Sequence, residues 1–310
     1  MSQHAIVELL EIGAAVRQAL AERRPVVALE STLVTHGLAA PMNLVAARRA
    51  EAAVRAGGAE PATVAVLEGR LRVGLSDSEL ESLAAQSGAR KASRATLALA
   101  LNEGGWAGTT VSATMIAAHL AGIRVFATGG IGGVHRGGER TFDVSADLDE
   151  LSRTPVLVVC AGPKSVLDVD LTLEYLETRG VPIVGWGTRQ LAGFYSAESG
   201  HTLAGSVRDA HDAARLAATH WALGLSTGLV VALPLPADAA LPRDEAEGAI
   251  SQAIADSEAA GIHGPAATPW VLARVAELTG GRSVAANLAL IENNARVAAD
   301  IASALARMPA

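Results

Sequence analysis

The sequence predicts a three-layer α/β/α fold with a mainly parallel or mixed central sheet and a helical C-terminal portion. Short apolar segments alternate with amphipathic segments of helical period, which is typical of strands and the helices that cover both faces of a sheet. Several of these segments, such as 25–32 and 155–162, are apolar almost throughout, as expected of strands buried on both faces. No linker, repeat or low-complexity tract interrupts the pattern.

The predicted elements follow one another in a regular order. Residues 5–22 have helical periodicity, so we expect residues 1–22 to be an N-terminal helical extension ahead of one domain at 23–310. Strands are predicted at 25–32, at 62–75 as two short strands about a Glu68-Gly69 turn, and at 123–130, 155–162, 181–188 and 228–236. Helices are predicted at 43–58, 76–88, 109–123, 165–180 and 211–225, and through the C-terminal third. Ser76, with Glu79 three residues later, has the spacing of a capping box.

Composition limits the class of protein. Half of the 310 residues are apolar but only 3% are aromatic, so the core must consist mainly of Ala, Val, Leu and Ile. A net charge of −7 disfavours a nucleic-acid surface. The single cysteine, Cys160, lies in an apolar run and is interpreted as a buried structural thiol. Glu8 and Glu11 argue against a secretory signal, and no stretch reaches the roughly 20 apolar residues of a spanning helix. We therefore expect a cytoplasmic protein without membrane contact.

Lysine is rare in this chain. Of 25 cationic side chains only Lys91 and Lys164 are lysines. GC-rich codon usage depletes lysine in general, but an amine can lose its proton and attack a carbonyl, which a guanidinium cannot do. Lys164 follows a predicted strand directly, where parallel sheets tend to place their chemistry. Lys164 is therefore a candidate nucleophile.

A glycine cluster at 128–143 follows the predicted strand at 123–130. Glycines after a strand let backbone N–H groups approach an anion, and His135, Arg136 and Arg140 would suit a phosphate. Asp143 and Asp147 suit a hard cation such as Mn²⁺ or Mg²⁺. A surface loop with ordinary charges is the alternative. The glycine spacing does not match a dinucleotide-binding fingerprint.

Other polar residues near predicted strands have two interpretations. Glu30 ends an apolar strand, where desolvation would raise its pKa and make it a usable acid or base, or where it would only cap the next segment. His36 and Asn43 either line the same cleft or satisfy loop backbone. Lys91, between Arg90 and Arg94, indicates either an anion pocket or a solvated face.

Five segments, in order, resemble the pseudouridine-5′-phosphate glycosidases: VALESTLVTHGL, TTVSATM, VFATGGIGGVHRGGERTFDVSADL, VVCAGPKSVLD and VAELTGG. The similarity runs from about residue 25 to residue 305, and the block at 125–148 with CAGPKS is its most specific part. Pro163 stands where an alanine is common in that family. The resemblance implies reversible cleavage of pseudouridine 5′-phosphate to uracil and ribose 5-phosphate, without an organic cofactor or intact nucleic acid, by a homotrimer.

Site residues are implied by the same resemblance. Lys164 matches a Schiff-base nucleophile, Glu30 a proton donor, and Asp143 a Mn²⁺ ligand, with Asp147 as the alternative ligand. The implied substrate-binding residues are Lys91, Val111, Ser145, Ala146, Asp147, His135, Asn287 and Thr128. Mg²⁺ or another divalent ion could replace Mn²⁺.

The chemistry is consistent with these residue types. Pseudouridine joins C1′ to uracil C5 through carbon, so a two-carboxylate glycosidase has no leaving heteroatom to protonate. An iminium at C1′ supplies an electron sink, and Glu30 would protonate C5. Burial and a neighbouring cation would lower the pKa of Lys164, as a nucleophile needs.

The alternative functions are a lysine-dependent aldolase acting on another sugar phosphate and a noncatalytic sugar-phosphate or nucleotide sensor. A dinucleotide-dependent oxidoreductase is the weakest.

Overall fold

The computed structural model describes residues 9–262 and 267–308, which form thirteen strands and twelve α-helices. The strands are β1 (Leu10–Ile12), β2 (Val26–Leu29), β3 (Glu60–Leu67), β4 (Arg70–Val73), β5 (Arg90–Ala92), β6 (Ala107–Thr109), β7 (Val125–Ala127), β8 (Val134–His135), β9 (Leu157–Cys160), β10 (Leu167–Asp168), β11 (Ile183–Trp186), β12 (Gly205–Val207) and β13 (Leu229–Ala232). The helices are α1 (Ala14–Ala21), α2 (Met42–Ala56), α3 (Asp77–Ala84), α4 (Leu97–Glu103), α5 (Val111–Leu120), α6 (Gly138–Thr141), α7 (Ala146–Leu151), α8 (Val169–Thr178), α9 (Ala210–Ala222), α10 (Arg243–Ala259), α11 (Ala267–Leu278) and α12 (Arg282–Ala306). A π-helical turn, Leu33–Gly37, follows β2.

Eleven of these strands form one mixed sheet. Its main order is β1-β4-β3-β2-β7-β9-β13-β11-β12, and β5 and β6 attach through β3. The pairs from β3 through β2, β7, β9, β13 and β11 to β12 are all parallel. The antiparallel pairs are β3 with β4 and β3 with β6. The carboxyl ends of β2, β7 and β9 therefore lie side by side at one edge of the sheet.

Successive residues of the central strands enter two different cores. In β9, Leu157 and Val159 belong to one cluster of buried side chains, whereas Val158 and Cys160 belong to another. Neighbouring side chains of a strand point to opposite faces, so the two clusters lie on the two faces of the sheet. Helices α2, α9 and α12 cover the first face, and α1 and α5 pack against the second. The predicted three-layer class and helical C-terminal portion are confirmed.

Local features agree with several predictions. Glu68 and Gly69 form the turn between β3 and β4 with φ of 50° and 77°, a left-handed pair that suits a tight hairpin. Ser76 and Glu79 form the predicted capping box at α3. Cys160 is fully buried, and burial raises the pKa of its thiol to about 12, as expected of a structural cysteine.

The N-terminal prediction is wrong in part. Leu10–Ile12 forms a strand parallel to β4 instead of continuing a helix, although Ala14–Ala21 is helical. The free edge of β4 offers main-chain hydrogen-bond partners to these three residues. That pairing outweighs their helical periodicity, so they form a strand. Residues 1–8 of the predicted extension lie outside the described residues. In the described ranges, no helix has both the length and the apolar content needed to cross a membrane.

Candidate active site

A cavity of about 350 Å³ opens at the carboxyl ends of β2, β7 and β9. Such an edge is where open parallel sheets place their ligand sites. Every site residue that the family resemblance implied lines this cavity: Glu30, Lys91, Val111, Thr128, His135, Asp143, Ser145, Ala146, Asp147, Lys164 and Asn287.

Strand β6 reaches the same edge from the opposite direction. β3 extends four residues beyond its pairing with β2, and β6 pairs with this extension in the antiparallel direction. The carboxyl end of β6 therefore returns to the end of β2. Ser31 joins the two ends, because its hydroxyl donates to the Val64 carbonyl at 2.5 Å and accepts the Thr109 N–H at 3.0 Å. This arrangement brings Val111, at the start of α5, to the cavity.

Glu30 directly follows β2 and accepts a hydrogen bond from the Thr128 hydroxyl, which follows β7. Burial raises the pKa of the Glu30 carboxyl above its ordinary value, while the Lys164 charge, the Thr128 hydrogen bond and the Lys91 charge oppose the shift. Asp147 adds a smaller increase. The net rise favours the protonated form, so Glu30 can serve as a proton donor closer to neutral pH than an exposed glutamate could.

Lys164 lies on a loop that main-chain bonds fix to the glycine cluster. The Lys164 N–H donates to the Ile131 carbonyl at 3.1 Å, and the Ile131 N–H donates to the Gly162 carbonyl at 3.0 Å. Gly162 has φ of 101°, a conformation that L side chains avoid. The lysine thus enters the cavity from a rigid turn after β9.

Lys91 lies on β5, a strand that the sequence did not predict. Burial, and next the Lys164 charge, lower the pKa of the Lys91 amine, whereas Asp147 and Glu30 oppose the shift. The neighbouring Arg90 and Arg94 do not line the cavity. Arg90 pairs with Glu103, and Arg94 pairs with the buried Glu150. Two members of the basic triplet, Arg90 and Arg94, therefore form structural ion pairs, and the third, Lys91, places its amine at the cavity.

Asp147 connects two parts of the site. Its carboxylate oxygens accept the Ser112 N–H at the start of α5 and the Gly132 N–H of the glycine cluster, each at 2.9 Å. The residue is 5% exposed. Ser145 N-caps the same helix, α7, by accepting the Asp147 N–H at 3.3 Å. Asp147 therefore acts first as a brace between loops.

The glycine cluster is less open to an anion than its sequence indicated. The N–H groups of Ile131, Gly132 and Val134 all donate to acceptors inside the protein. A side chain on Gly132 would collide with Ser145 and Asp147, so close packing is one reason for glycine there. Arg136 and Arg140, expected to help with phosphate, are exposed and do not line the cavity.

The Asp143 carboxylate is more exposed than that of Asp147. Its side chain is 44% exposed, and one oxygen lies 3.9 Å from His135 Nδ1. The described residues contain no group of three or more His, Cys, Asp and Glu side chains that could enclose a metal ion. A hydrated divalent cation still fits, because Mg²⁺-like ions commonly keep several waters and use one carboxylate plus substrate oxygens.

Several cavity residues were missed or left open by the sequence. The buried oxygens Thr32 Oγ1 and Asn287 Oδ1 belong to cavity-lining residues, and neither has a hydrogen-bond partner among the described residues. His36 lines the cavity, and burial and the Lys91 charge lower its pKa. Asn43 instead donates to the Val34 and Ala84 carbonyls, so it satisfies loop backbone.

Phe194, in the loop after β11, also lines the cavity. Sequence offered no signal for Phe194, because only the fold brings that loop to the site.

Fold and site together define a mixed-sheet α/β enzyme with an amine and a partly buried acid in one pocket. The chain matches the family model described as "Indigoidine synthase A like protein" over residues 15–304. It is 52% identical over 305 residues to a pseudouridine-5′-phosphate glycosidase of Mesorhizobium japonicum, covering 98% of this chain and 100% of that one. A glycosidase of the same name from Solibacter usitatus is 53% identical over 296 residues, covering 96% and 99%.

Solved structures agree. The prealnumycin C-glycosynthase AlnA, crystallised with ribulose 5-phosphate, superposes with a TM-score of 0.89 at 41% identity, covering 96% of this chain and 97% of that one. An indigoidine synthase A-like protein of Thermotoga maritima gives 0.87 at 33% identity, with the same coverage of 96% and 97%. The chain belongs to the indigoidine synthase A-like family and, within it, is an enzyme of the pseudouridine-5′-phosphate glycosidase group.

Proposed function

We propose that this enzyme reversibly cleaves the C1′–C5 bond of pseudouridine 5′-phosphate, giving uracil and ribose 5-phosphate, through a Schiff base on Lys164. One observation supports this above all: Lys164, the partly buried acid Glu30 and the second amine Lys91 meet in a single cavity. Their charges influence one another, since the positive charges of Lys164 and Lys91 both lower the pKa of the Glu30 carboxyl and so oppose the effect of burial. The names of the relatives supply the substrate class.

The proposed reaction assigns one step to each group. The Lys164 amine forms a bond to C1′ as the C1′–O4′ bond of the sugar ring breaks; O4′ leaves with the electron pair of that bond and takes the proton that the nitrogen loses. The C1′–C5 bond then breaks; its electron pair passes to C5, which takes a proton from Glu30, while the nitrogen lone pair forms the C1′=N bond. Water hydrolyses this imine and releases ribose 5-phosphate and the free lysine. Lys91 contributes positive charge for the 5′-phosphate, because a remote anion supplies binding energy for orientation.

The proposal also covers the metal ion, the oligomeric state and the cellular compartment. Asp143 would hold a hydrated Mn²⁺ or Mg²⁺, with His135 beside it. When bound, such an ion supplies positive charge that orients water and polar substrate groups. We also propose a homotrimer in the cytoplasm, which light scattering after size exclusion and cell fractionation would test.

Borohydride trapping tests the nucleophile. The enzyme is incubated with ribose 5-phosphate and reductant, followed by intact mass measurement and peptide mapping. We expect a reduced sugar-phosphate adduct on Lys164, retained in Lys91→Ala at saturating sugar phosphate and lost in Lys164→Ala and Lys164→Arg. An adduct that persists in Lys164→Ala would reject this nucleophile. Without reductant, added uracil should give pseudouridine 5′-phosphate; an adduct without this product would indicate an aldolase, and binding without an adduct would indicate a sensor.

A further inference from the structure

We propose that His36 binds the sugar phosphate, with its Nε2 atom accepting a hydrogen bond from one of the sugar hydroxyls. This inference deepens the proposed function and rests on it, because it assumes that ribose 5-phosphate occupies the cavity. His36 lines that cavity and is partly buried. It lies in the π-helical turn Leu33–Gly37, which follows the proposed acid Glu30. Short π-helical segments are rare and occur frequently at functional sites.

One nitrogen of the His36 ring is engaged inside the protein. Nδ1 lies 2.7 Å from the Thr35 hydroxyl oxygen, and that hydroxyl donates to the Ser31 carbonyl at 3.3 Å. A hydroxyl has one hydrogen, so both contacts are hydrogen bonds only when Nδ1 carries the imidazole proton and donates it to Thr35. In the neutral ring Nε2 then has no hydrogen and is an acceptor.

The neighbouring Lys91 amine favours this neutral ring. Burial first, and the Lys91 charge second, lower the pKa of His36. The two residues are near each other because Lys91 pairs with Gly108 in the sheet, and a Cβ on Gly108 would collide with Thr35 Oγ1. The turn that carries His36 therefore packs against the strand beside Lys91. A ring that stays neutral keeps the lone pair of Nε2 for a ligand.

The free lone pair of Nε2 indicates what kind of group it binds. Among the residues that the structure describes, none donates a hydrogen bond to His36 Nε2. Uracil has N–H donors, but the proposed contact of Lys91 with the 5′-phosphate places His36 at the sugar-phosphate end of the ligand. A phosphate dianion offers acceptors only. The hydroxyls of the sugar are therefore the donors that match this acceptor.

Two substitutions separate the roles of the two ring nitrogens. The amide of His36→Asn reaches the position of Nδ1 but has no atom at the position of Nε2, whereas the longer His36→Gln places its amide near Nε2. His119→Asn makes the same change at an exposed histidine of α5 that does not line the cavity. The measured quantity is the ribose 5-phosphate concentration that gives half-maximal borohydride trapping in the absence of uracil.

Loss of one neutral hydrogen bond weakens binding by about 2- to 13-fold. We expect His36→Asn to raise the half-maximal concentration within that range, His36→Gln to recover most of the loss, and His119→Asn to match wild type. Trapping at saturating sugar phosphate should stay near wild type in all three variants, because Lys164 is unchanged. A folded His36→Asn within about 1.5-fold of wild type overturns the proposal.

Analogues of ribose 5-phosphate that lack the hydroxyl on C2, C3 or C4 identify the donor. Wild type and His36→Asn should bind one of these analogues equally, because the partner of Nε2 is already absent. A loss in His36→Asn that is the same for all three analogues overturns the proposal. So does a loss that disappears with ribose, because the ring would then act on the phosphate. Failure of the wild type to trap ribose 5-phosphate would reject the proposed function itself.

If His36→Asn does not fold, a crystal structure of the wild type with ribose 5-phosphate decides the question. A sugar hydroxyl oxygen within about 3.2 Å of His36 Nε2 supports the proposal. A phosphate oxygen at that position, or a sugar bound away from the ring, overturns it.

Discussion

Replacing Asp147 by asparagine tests whether its carboxylate braces the site. Both oxygens accept main-chain N–H groups at 2.9 Å, from Ser112 and Gly132, in a residue that is 5% exposed. Asparagine keeps one oxygen but presents an NH₂ group to the other N–H. The variant therefore loses one charge-assisted hydrogen bond and leaves one buried donor unpaired. Such a loss costs about 2–4 kcal/mol of unfolding free energy.

Thermal unfolding measures this cost. One kcal/mol lowers the melting temperature of a large domain by about 2 °C, so we expect Asp147→Asn to melt about 4–8 °C below wild type. Asp149→Asn, on the same helix, is the matched control: that carboxylate is 40% exposed and meets Arg153 and Arg179 at 3.9 and 3.4 Å. Each exposed pair contributes about 0.2–1 kcal/mol, so losing both pairs should lower the melting temperature of the control by about 0.8–4 °C.

Two results would contradict the bracing role. A melting temperature of Asp147→Asn within about 1 °C of the control would show that the two N–H groups do not need the carboxylate. A wild-type melting temperature that rises with Mn²⁺, with the rise lost in Asp147→Asn and kept in Asp143→Asn, would make Asp147 the metal ligand instead.

Three further variants test residues of the cavity. Glu30→Gln should slow cleavage by about 10²- to 10⁴-fold. Because burial raises the pKa of Glu30, the wild-type rate should fall as pH rises through that pKa, and the variant should lack this decline; an unchanged pH profile would remove Glu30 as the acid. The same raised pKa stabilises the folded protein at low pH and loses that effect as pH rises, so Glu30→Gln should gain stability relative to wild type in alkaline melts. Lys91→Ala should weaken binding of pseudouridine 5′-phosphate more than that of pseudouridine, and an equal loss in calorimetry would contradict its phosphate role. Asp143→Asn should lose Mn²⁺ affinity by electron paramagnetic resonance yet keep its melting temperature, since that side chain is 44% exposed; undiminished affinity would reject Asp143 as the ligand.

The sequence was most informative where chemistry and burial coincide locally. Strands β2, β7, β9 and β13 are short apolar runs, and each was predicted because the run itself shows burial on both faces. Glu30 directly follows β2 and Lys164 lies four residues after β9, so their place at one sheet edge follows from parallel pairing. Their family resemblance supplied the specific roles.

Features that depend on long-range pairing escaped the sequence. Strands β1, β5 and β6 have three residues each, too few for a period, and they form because other strands offer partners: β4 pairs with β1, β3 pairs with β6, and β6 pairs with β5. The sequence left Arg94 as part of either an anion pocket or a solvated face, because its buried partner, Glu150, lies 56 residues further along the chain. The position of Phe194 likewise depends on a loop that crosses to the glycine cluster.

The hydrogen bonds between Ile131, Gly162 and Lys164 involve main-chain atoms only. The distance between the lysine loop and the glycine cluster is therefore independent of most side chains that face the cavity. Wall residues such as Leu33, Leu272 and Ile291 contribute nothing to these bonds, so their side chains can be exchanged while the hydrogen bonds that hold the main chain of Lys164 are kept. A fixed reaction centre inside an exchangeable wall is a favourable starting point for evolving or engineering enzymes that join the same sugar phosphate to different carbon acceptors.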